Sequence, residues 1–243
     1  MSGSEPGASP RFYRYLVVVL GLAVVVYAGY RLIVGAAGYE WLIAAAFTIP
    51  AGAFVLRLPG VKAKLSLSDA IICTNIVLFG PSAGVITAAL DALCGSLRCK
   101  TASRRLEFAS FNISCMGLSA AAGAEAFFGI VGRRLEYPHS TGLGAVFLLG
   151  VLVLGLVYYL ANSFLVAGVL ALDERQNLFR IWSRRFLWAI INYVAASCVA
   201  GVIALTVGEI TPVSMIAILA VMTALFLSAK SYAASLSEHP GQS

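Results

Sequence analysis

Charge is what this sequence has least of. Only 12% of its 243 residues are Asp, Glu, Lys or Arg, against 60% hydrophobic residues. A water-soluble domain carries about a quarter charged residues. The composition, with a mean hydropathy of +0.90, therefore excludes a soluble globular protein and implies an integral membrane one. Apolar runs recur along nearly the whole chain and leave no interval of even about 50 residues for a separate soluble domain. Histidine is almost missing: His139 and His239 are the 2 present, in a loop and a tail. No HExxH and no glycine-rich phosphate loop occurs, and no spacing of acids suits a metal. The expectation is a protein that is not an enzyme and holds no metal or cofactor. Cysteine is sparse too. Cys73, Cys94, Cys99, Cys115 and Cys198 show no CxxC spacing, so they read as small packing residues and not as a disulfide framework. The first apolar run, from about Phe12, lacks a small-residue cleavage site and reads as a retained span.

The charge that is present leans one way. There are 17 Lys and Arg against 11 Asp and Glu, a net +6. The basic residues sit in short loops between apolar runs, which is the pattern of membrane orientation and not of nucleic-acid binding.

A spanning helix needs about 20 apolar residues. Runs at residues 14–36, 40–57, 66–80, 82–98, 106–130, 143–171, 186–207 and 212–230 give about eight candidates. The third and fourth are separated only by Gly80-Pro81, a pair that ends one helix and starts another. Read as a hairpin, with the amino terminus inside, the cytoplasmic segments hold every basic residue except Arg31, Arg133 and Arg134. Merging 66–98 into one span would put Arg98–Arg105 opposite Arg57–Lys64, and the bias would collapse. Trp41 then marks the outer interface, Trp182 and Trp188 the inner one. The long sixth run either tilts or projects into the cytoplasm near Asp173-Glu174. The expected fold is all-α: one polytopic transmembrane helix bundle over residues 11–230, with cytoplasmic tails at 1–10 and 231–243.

Ionisable and amide side chains inside spans are costly and are candidate functional groups. Asp91 lies about ten residues into the fourth span. Gly84, Ala88, Asp91 and Gly95 share one helical stripe, and small residues on one face admit a close neighbour. The fifth span carries a matching stripe, Asn112, Cys115 or Met116, Ser119 and Gly123, so the two are expected to face each other. Asn75, Asp91, Asn112 and Asn162 form the primary candidate site, with inter-helix glue as the competing role. Asp69, Glu125 and Asn192 are secondary. Asp69 reads as an interfacial first-turn acid beside Ser66 and Ser68, Glu107 as a local partner of Arg104-Arg105, and Glu125 as an acid near Arg133-Arg134.

The order of features is similar to a known arrangement. LSLSDAIICTNIVLFGPSAGVITAALDALCGSLR precedes basic residues and FASFNIS. Then come YYLANSFLVAGVLAL and the basic, Trp-containing FRIWSRRFLWAIINYVAAS. Over about Lys64–Ser197 this resembles the multi-helix membrane sensor domain at the amino terminus of bacterial signalling proteins with GGDEF, HD-GYP or histidine-kinase output. The hydropathy is also similar to substrate-binding subunits of vitamin uptake transporters, which share GP-x-x-G hairpin turns. The resemblance implies an intramembrane pocket coupled to a cytoplasmic output. The chain is expected to depart from that arrangement in carrying no output domain after the last span, as a stand-alone sensor acting through a partner, a binding subunit or the remnant of a larger protein would. The expected function is thus a sensor-like module of the bacterial inner membrane. It would bind a small ligand within the bundle and signal through a cytoplasmic or membrane partner. A transporter or its binding subunit, and a purely structural membrane partner without ligand, are the alternatives. Lipid is the expected surrounding, nucleic acid is not a partner, and an oligomer is compatible with the sequence.

Overall fold

The computed structural model describes residues 8–35, 38–51, 55–57, 64–97, 105–132 and 144–206, with Val213, Ile216, Ile218, Leu219 and Thr223 beyond them. The helices are α1 (Ala8–Val34), α2 (Glu40–Ala51), α3 (Leu67–Phe79), α4 (Pro81–Leu97), α5 (Arg105–Val131), α6 (Gly144–Glu174), α7 (Leu178–Arg185) and α8 (Ile190–Thr206). A 3-10 turn at Leu187–Ala189 leads into α8. Two three-residue strands, β1 (Val55–Arg57) and β2 (Lys64–Ser66), pair antiparallel, Leu56 opposite Leu65. The last expected span, residues 212–230, lies outside the described residues except for those five positions.

Four helical stretches are long and apolar enough to cross a membrane: Pro10–Val34, Leu106–Val131, Gly144–Glu174 and Leu187–Thr206. They match four of the expected spans within a few residues. The apolar runs at 40–57, 66–80 and 82–98 become shorter helices. α2, α3 and α4 have 12, 13 and 17 residues. At 1.5 Å per residue they reach about 18, 20 and 25 Å, short of a hydrocarbon core of about 30 Å. The run 40–57 does not stay helical to its end. Helix stops at Ala51 and the backbone re-forms as β1, and the sequence joining β1 to β2 contains the turn-forming pair Pro59-Gly60.

Gly80 carries the reversal between α3 and α4. Its φ of +91° is accessible to glycine at little cost and strained for other residues, and Pro81 opens α4 at the position where its missing N–H matters least. The two helices lie close enough that a Cβ on Gly84 would collide with Ile76. α3–Gly80–α4 is thus a helical hairpin, as the basic-residue pattern requires.

α5 is the hub, packed against α1, α4 and α6. Each seam uses small residues. Toward α1, a Cβ on Gly21 would overlap the backbone of Ser114, and the Ser114 hydroxyl donates to the Val18 carbonyl at 3.2 Å. Toward α6, Gly123 sits against Leu154 and Tyr158. α8 closes the bundle against α3 and α6. The buried centre includes Ile71, Ile72, Ile76, Phe127, Leu154, Tyr158 and Tyr159. Phe127 meets Phe128 and Phe147 edge-on at 5.0 and 5.9 Å. The outward faces of α1, α6 and α8 expose large apolar side chains such as Val26, Ile33, Leu148 and Val202, as lipid contact requires.

Gly21→Val should push α1 off α5 and cost about 1–3 kcal/mol of overpacking strain, read as a lowered Tm in detergent. Gly95→Ala, whose Cβ would meet nothing within 4 Å, should leave Tm unchanged.

Candidate functional site

The hairpin register brings two carboxylates together. The Asn75 amide of α3 donates to the Thr87 hydroxyl of α4 at 2.6 Å, which fixes that level of the pair. Asp69 precedes Asn75 by six residues and Asp91 follows Thr87 by four. In antiparallel helices both therefore lie near one level, toward the open end of the hairpin. Asp91 acts electrostatically on Asp69 and on the Tyr158 and Tyr193 hydroxyls.

Asp69 is only 7% exposed. Its Oδ2 accepts a hydrogen bond from the Asn192 amide of α8 at 2.5 Å, across 123 residues of sequence. Asp69 lies in the first turn of α3, where the helix's partial positive charge favours an acid, and the Asn192 side chain reaches it from the start of α8. Tyr193, next to Asn192, accepts from the Asn162 amide of α6 at 2.6 Å and meets the Tyr158 ring edge-on at 4.8 Å. The Tyr158 hydroxyl points to Met116 Sδ of α5 at 3.8 Å. Four helices thus deliver Asp69, Asp91, Asn162, Tyr158, Asn192 and Tyr193 to one polar centre, with Cys73 of α3 within electrostatic reach of Asp69.

An aromatic chain runs from this centre to α7. Tyr193 lies 5.9 Å from Tyr159, Tyr159 lies 6.1 Å from Trp182, and Trp182 stacks on Phe164 at 5.0 Å with an angle of 7°. Trp182 Nε1 donates to the Ser163 hydroxyl at 2.9 Å, and the Tyr159 hydroxyl to the Phe186 carbonyl at 3.3 Å. Asn177 caps α7 through its side chain. Ile181 is buried against Ala167 and Ala171.

The sequence-derived candidates divide. Asp91 and Asn162 belong to the centre, and so do Asp69 and Asn192 from the secondary set. Asn75 lies deeper in the hairpin, fully buried, bonding Thr87 and the Trp41 carbonyl of α2 at 3.4 Å. Its Oδ1 is buried without a hydrogen-bond partner. Asn112 joins α5 to α4 at the Ala92 carbonyl and the Ser96 hydroxyl, both at 3.4 Å. The stripe of Gly84 does not aim at α5. Gly84 meets Ile76 of α3, while Val85, Ala92 and Ser96 supply contacts to α5. Gly95 has open space around it. Along α5 the matching stripe serves two neighbours, Asn112 toward α4 and Met116 and Gly123 toward α6. Glu125 and Glu107 are exposed. Ser66, Arg104, Arg133, Arg134 and Cys99 lie outside the residues whose side chains are described.

Asp69 differs from its interfacial reading because α8 covers it, a long-range contact invisible in the local KLSLSDA pattern. Tyr158 and Tyr193 were missed altogether. Their signal was present: each sits mid-run beside an amide, Tyr158 four residues before Asn162 and Tyr193 next to Asn192, and a buried tyrosine hydroxyl normally finds a partner. Among the described residues no group of three or more His, Cys, Asp and Glu could hold a metal ion.

Asn192→Ala removes the donor from a buried carboxylate and should cost about 1–3 kcal/mol, seen as a lower Tm. Asn192→Gln, which keeps an amide, should recover part of that loss. What this centre does must be read from its own residues, because no family model, no curated protein and no solved structure matches the chain.

Proposed function

We propose that the chain is a sensor-like module of a bacterial inner membrane, with about eight spans and both termini cytoplasmic. It binds a small ligand at the Asp69–Asp91 centre and signals through a cytoplasmic or membrane partner. The observation that carries this reading is the centre itself. Two carboxylates, two amides and two tyrosines from four helices are a large investment of polar groups for a 60% hydrophobic chain, and such groups inside a membrane bundle are functional candidates by default. The chemistry suits a small ligand rich in hydrogen-bond donors, such as an amine: carboxylates accept from it, and tyrosine rings favour a cation over their faces. The aromatic chain from Tyr193 to Trp182 offers a packed route by which a shift at the centre reaches α7. The order of motifs along Lys64–Ser197, which resembles that of bacterial sensor domains, is in keeping with the same reading.

A second reading, the binding subunit of an uptake transporter, draws on the short helices α2, α3 and α4. Discontinuous or shortened helices often frame substrate sites in transporters.

The ligand is testable by mass spectrometry of small molecules retained by detergent-purified protein. Wild type should carry a molecule that Asp91→Leu loses while remaining monodisperse, with Asp91→Asn as the milder variant if Leu disturbs folding. Identical small-molecule content in wild type and both variants would contradict a ligand at Asp91 and favour a structural role. The topology is testable separately. Ser82→Cys in a cysteine-free background should react with a membrane-impermeant maleimide added from the periplasmic side. Labelling only from the cytoplasmic side would make α3–α4 a re-entrant hairpin.

A further inference from the structure

The elbow between α6 and α7 contains two acids, and both are already neutralised. Arg14 of α1 pairs with Asp173. Arg185 grips Glu174 through two hydrogen bonds of 2.7 and 3.0 Å. Among the described residues, Arg175, Arg180 and Arg184 are left without an acidic partner, and all three are exposed. Along α7, Phe179 and Ser183 lie opposite Ile181, the residue buried against α6, while Arg180 and Arg184 flank it on one side; all four are exposed, and the Phe179 ring also meets Phe164 of α6 edge-on at 6.0 Å. Phe179 is 66% exposed, and just beyond α7 Leu187 and Trp188 are 44% and 51% exposed. Leu187 also begins the stretch Leu187–Thr206, which is long and apolar enough to span a membrane. The Ile181 edge of α7 is therefore fixed to the bundle, and its exposed surface presents guanidinium groups and large apolar side chains at the mouth of a span.

That combination fits one partner. A guanidinium offers paired donors to the oxygens of a phosphate. Aromatic and apolar side chains beside it settle at the headgroup level of a bilayer. A free phosphate ion would use the arginines and leave the exposed Phe179, Leu187 and Trp188 in water. An acidic protein partner would lie away from the bilayer, whereas this surface abuts the start of α8.

We propose that the outward face of α7 is a docking surface for anionic phospholipid headgroups. Arg180 and Arg184 hold the phosphate, and Phe179, Leu187 and Trp188 lie among the headgroups and upper acyl chains. The lipid fixes the angle of α7 against α6, the element that the aromatic chain links to the polar centre. This surface needs only that α8 crosses the bilayer, and it stands whether or not a ligand binds at Asp69 and Asp91.

The test is native mass spectrometry of the full chain in detergent, titrated with dioleoyl-phosphatidylglycerol and with dioleoyl-phosphatidylcholine. Wild type should bind the glycerol lipid more tightly. Electrostatic attraction of about 1 kcal/mol per arginine converts to about 5-fold each, so the Arg180→Gln/Arg184→Gln double variant should lose about 25-fold of that preference. The Arg180→Lys/Arg184→Lys variant should keep most of it. Excess inorganic phosphate should not displace the lipid. Equal binding of the two lipids to wild type, full preference in the Gln variant, or displacement by phosphate would each overturn the proposal. The wild-type comparison decides alone if the Gln variant fails to fold.

Discussion

The contact between Asp69 and Asn192 is the constraint on which the arrangement rests. Helices in lipid gain no hydrophobic energy by meeting each other, since acyl chains are as apolar as leucine. Close packing and polar contacts must hold them instead. Asp69 belongs to the short hairpin α3–α4 and Asn192 to α8, 123 positions away. An acid that is only 7% exposed cannot be left without donors, so the start of α8 is obliged to cover the start of α3. Once it does, Tyr193 falls beside Tyr158 and Asn162, and α6 is drawn into the same cluster.

The remaining order follows from shape. α5 can sit at the centre because Gly117, Gly123 and Ser114 let α1 and α6 approach its backbone. Hydrogen bonds of Thr48, Thr74, Thr87, Ser96 and Ser119 return to carbonyls of their own helices. For Thr48, Thr74 and Ser119 this bond is local and adds little to specificity between helices, whereas Thr87 and Ser96 also accept an amide from a neighbouring helix. Among the described residues the polar bonds between helices include those of the Asp69 centre, the Asn75–Thr87 rung of the hairpin, Asn112 of α5 to α4 and Ser114 of α5 to α1. These bonds explain how a chain with so little charge can still specify which helices are neighbours.

Much of the helical architecture was legible in the residues, because hydropathy reports on local composition. The long runs became α1, α5, α6 and the stretch leading into α8 with nearly the expected limits. Gly80-Pro81 and the placement of arginines identified the hairpin. The error at 40–57 was also local in origin: apolarity measures affinity for lipid and does not distinguish helix from the β1 ladder. The site was less legible. A stripe of small residues says that something comes close, without saying which helix does, and Gly84 turned out to serve its own hairpin. Asp91 and Asn162 stood out because they interrupt apolar runs. Asp69 ranked only as a secondary candidate, because near a helix start an acid has an ordinary explanation, and only the approach of α8 makes it a buried one.

The most direct measurement is a double-mutant cycle between Asp69 and Asn192, using Asp69→Ala, Asn192→Ala and the double variant, with unfolding followed in detergent. If this contact joins the hairpin to α8, the two losses should be non-additive, with a coupling of at least about 1 kcal/mol. Losses that add within about 0.5 kcal/mol would show that the two side chains act independently, and the account of how this bundle is held together would not stand.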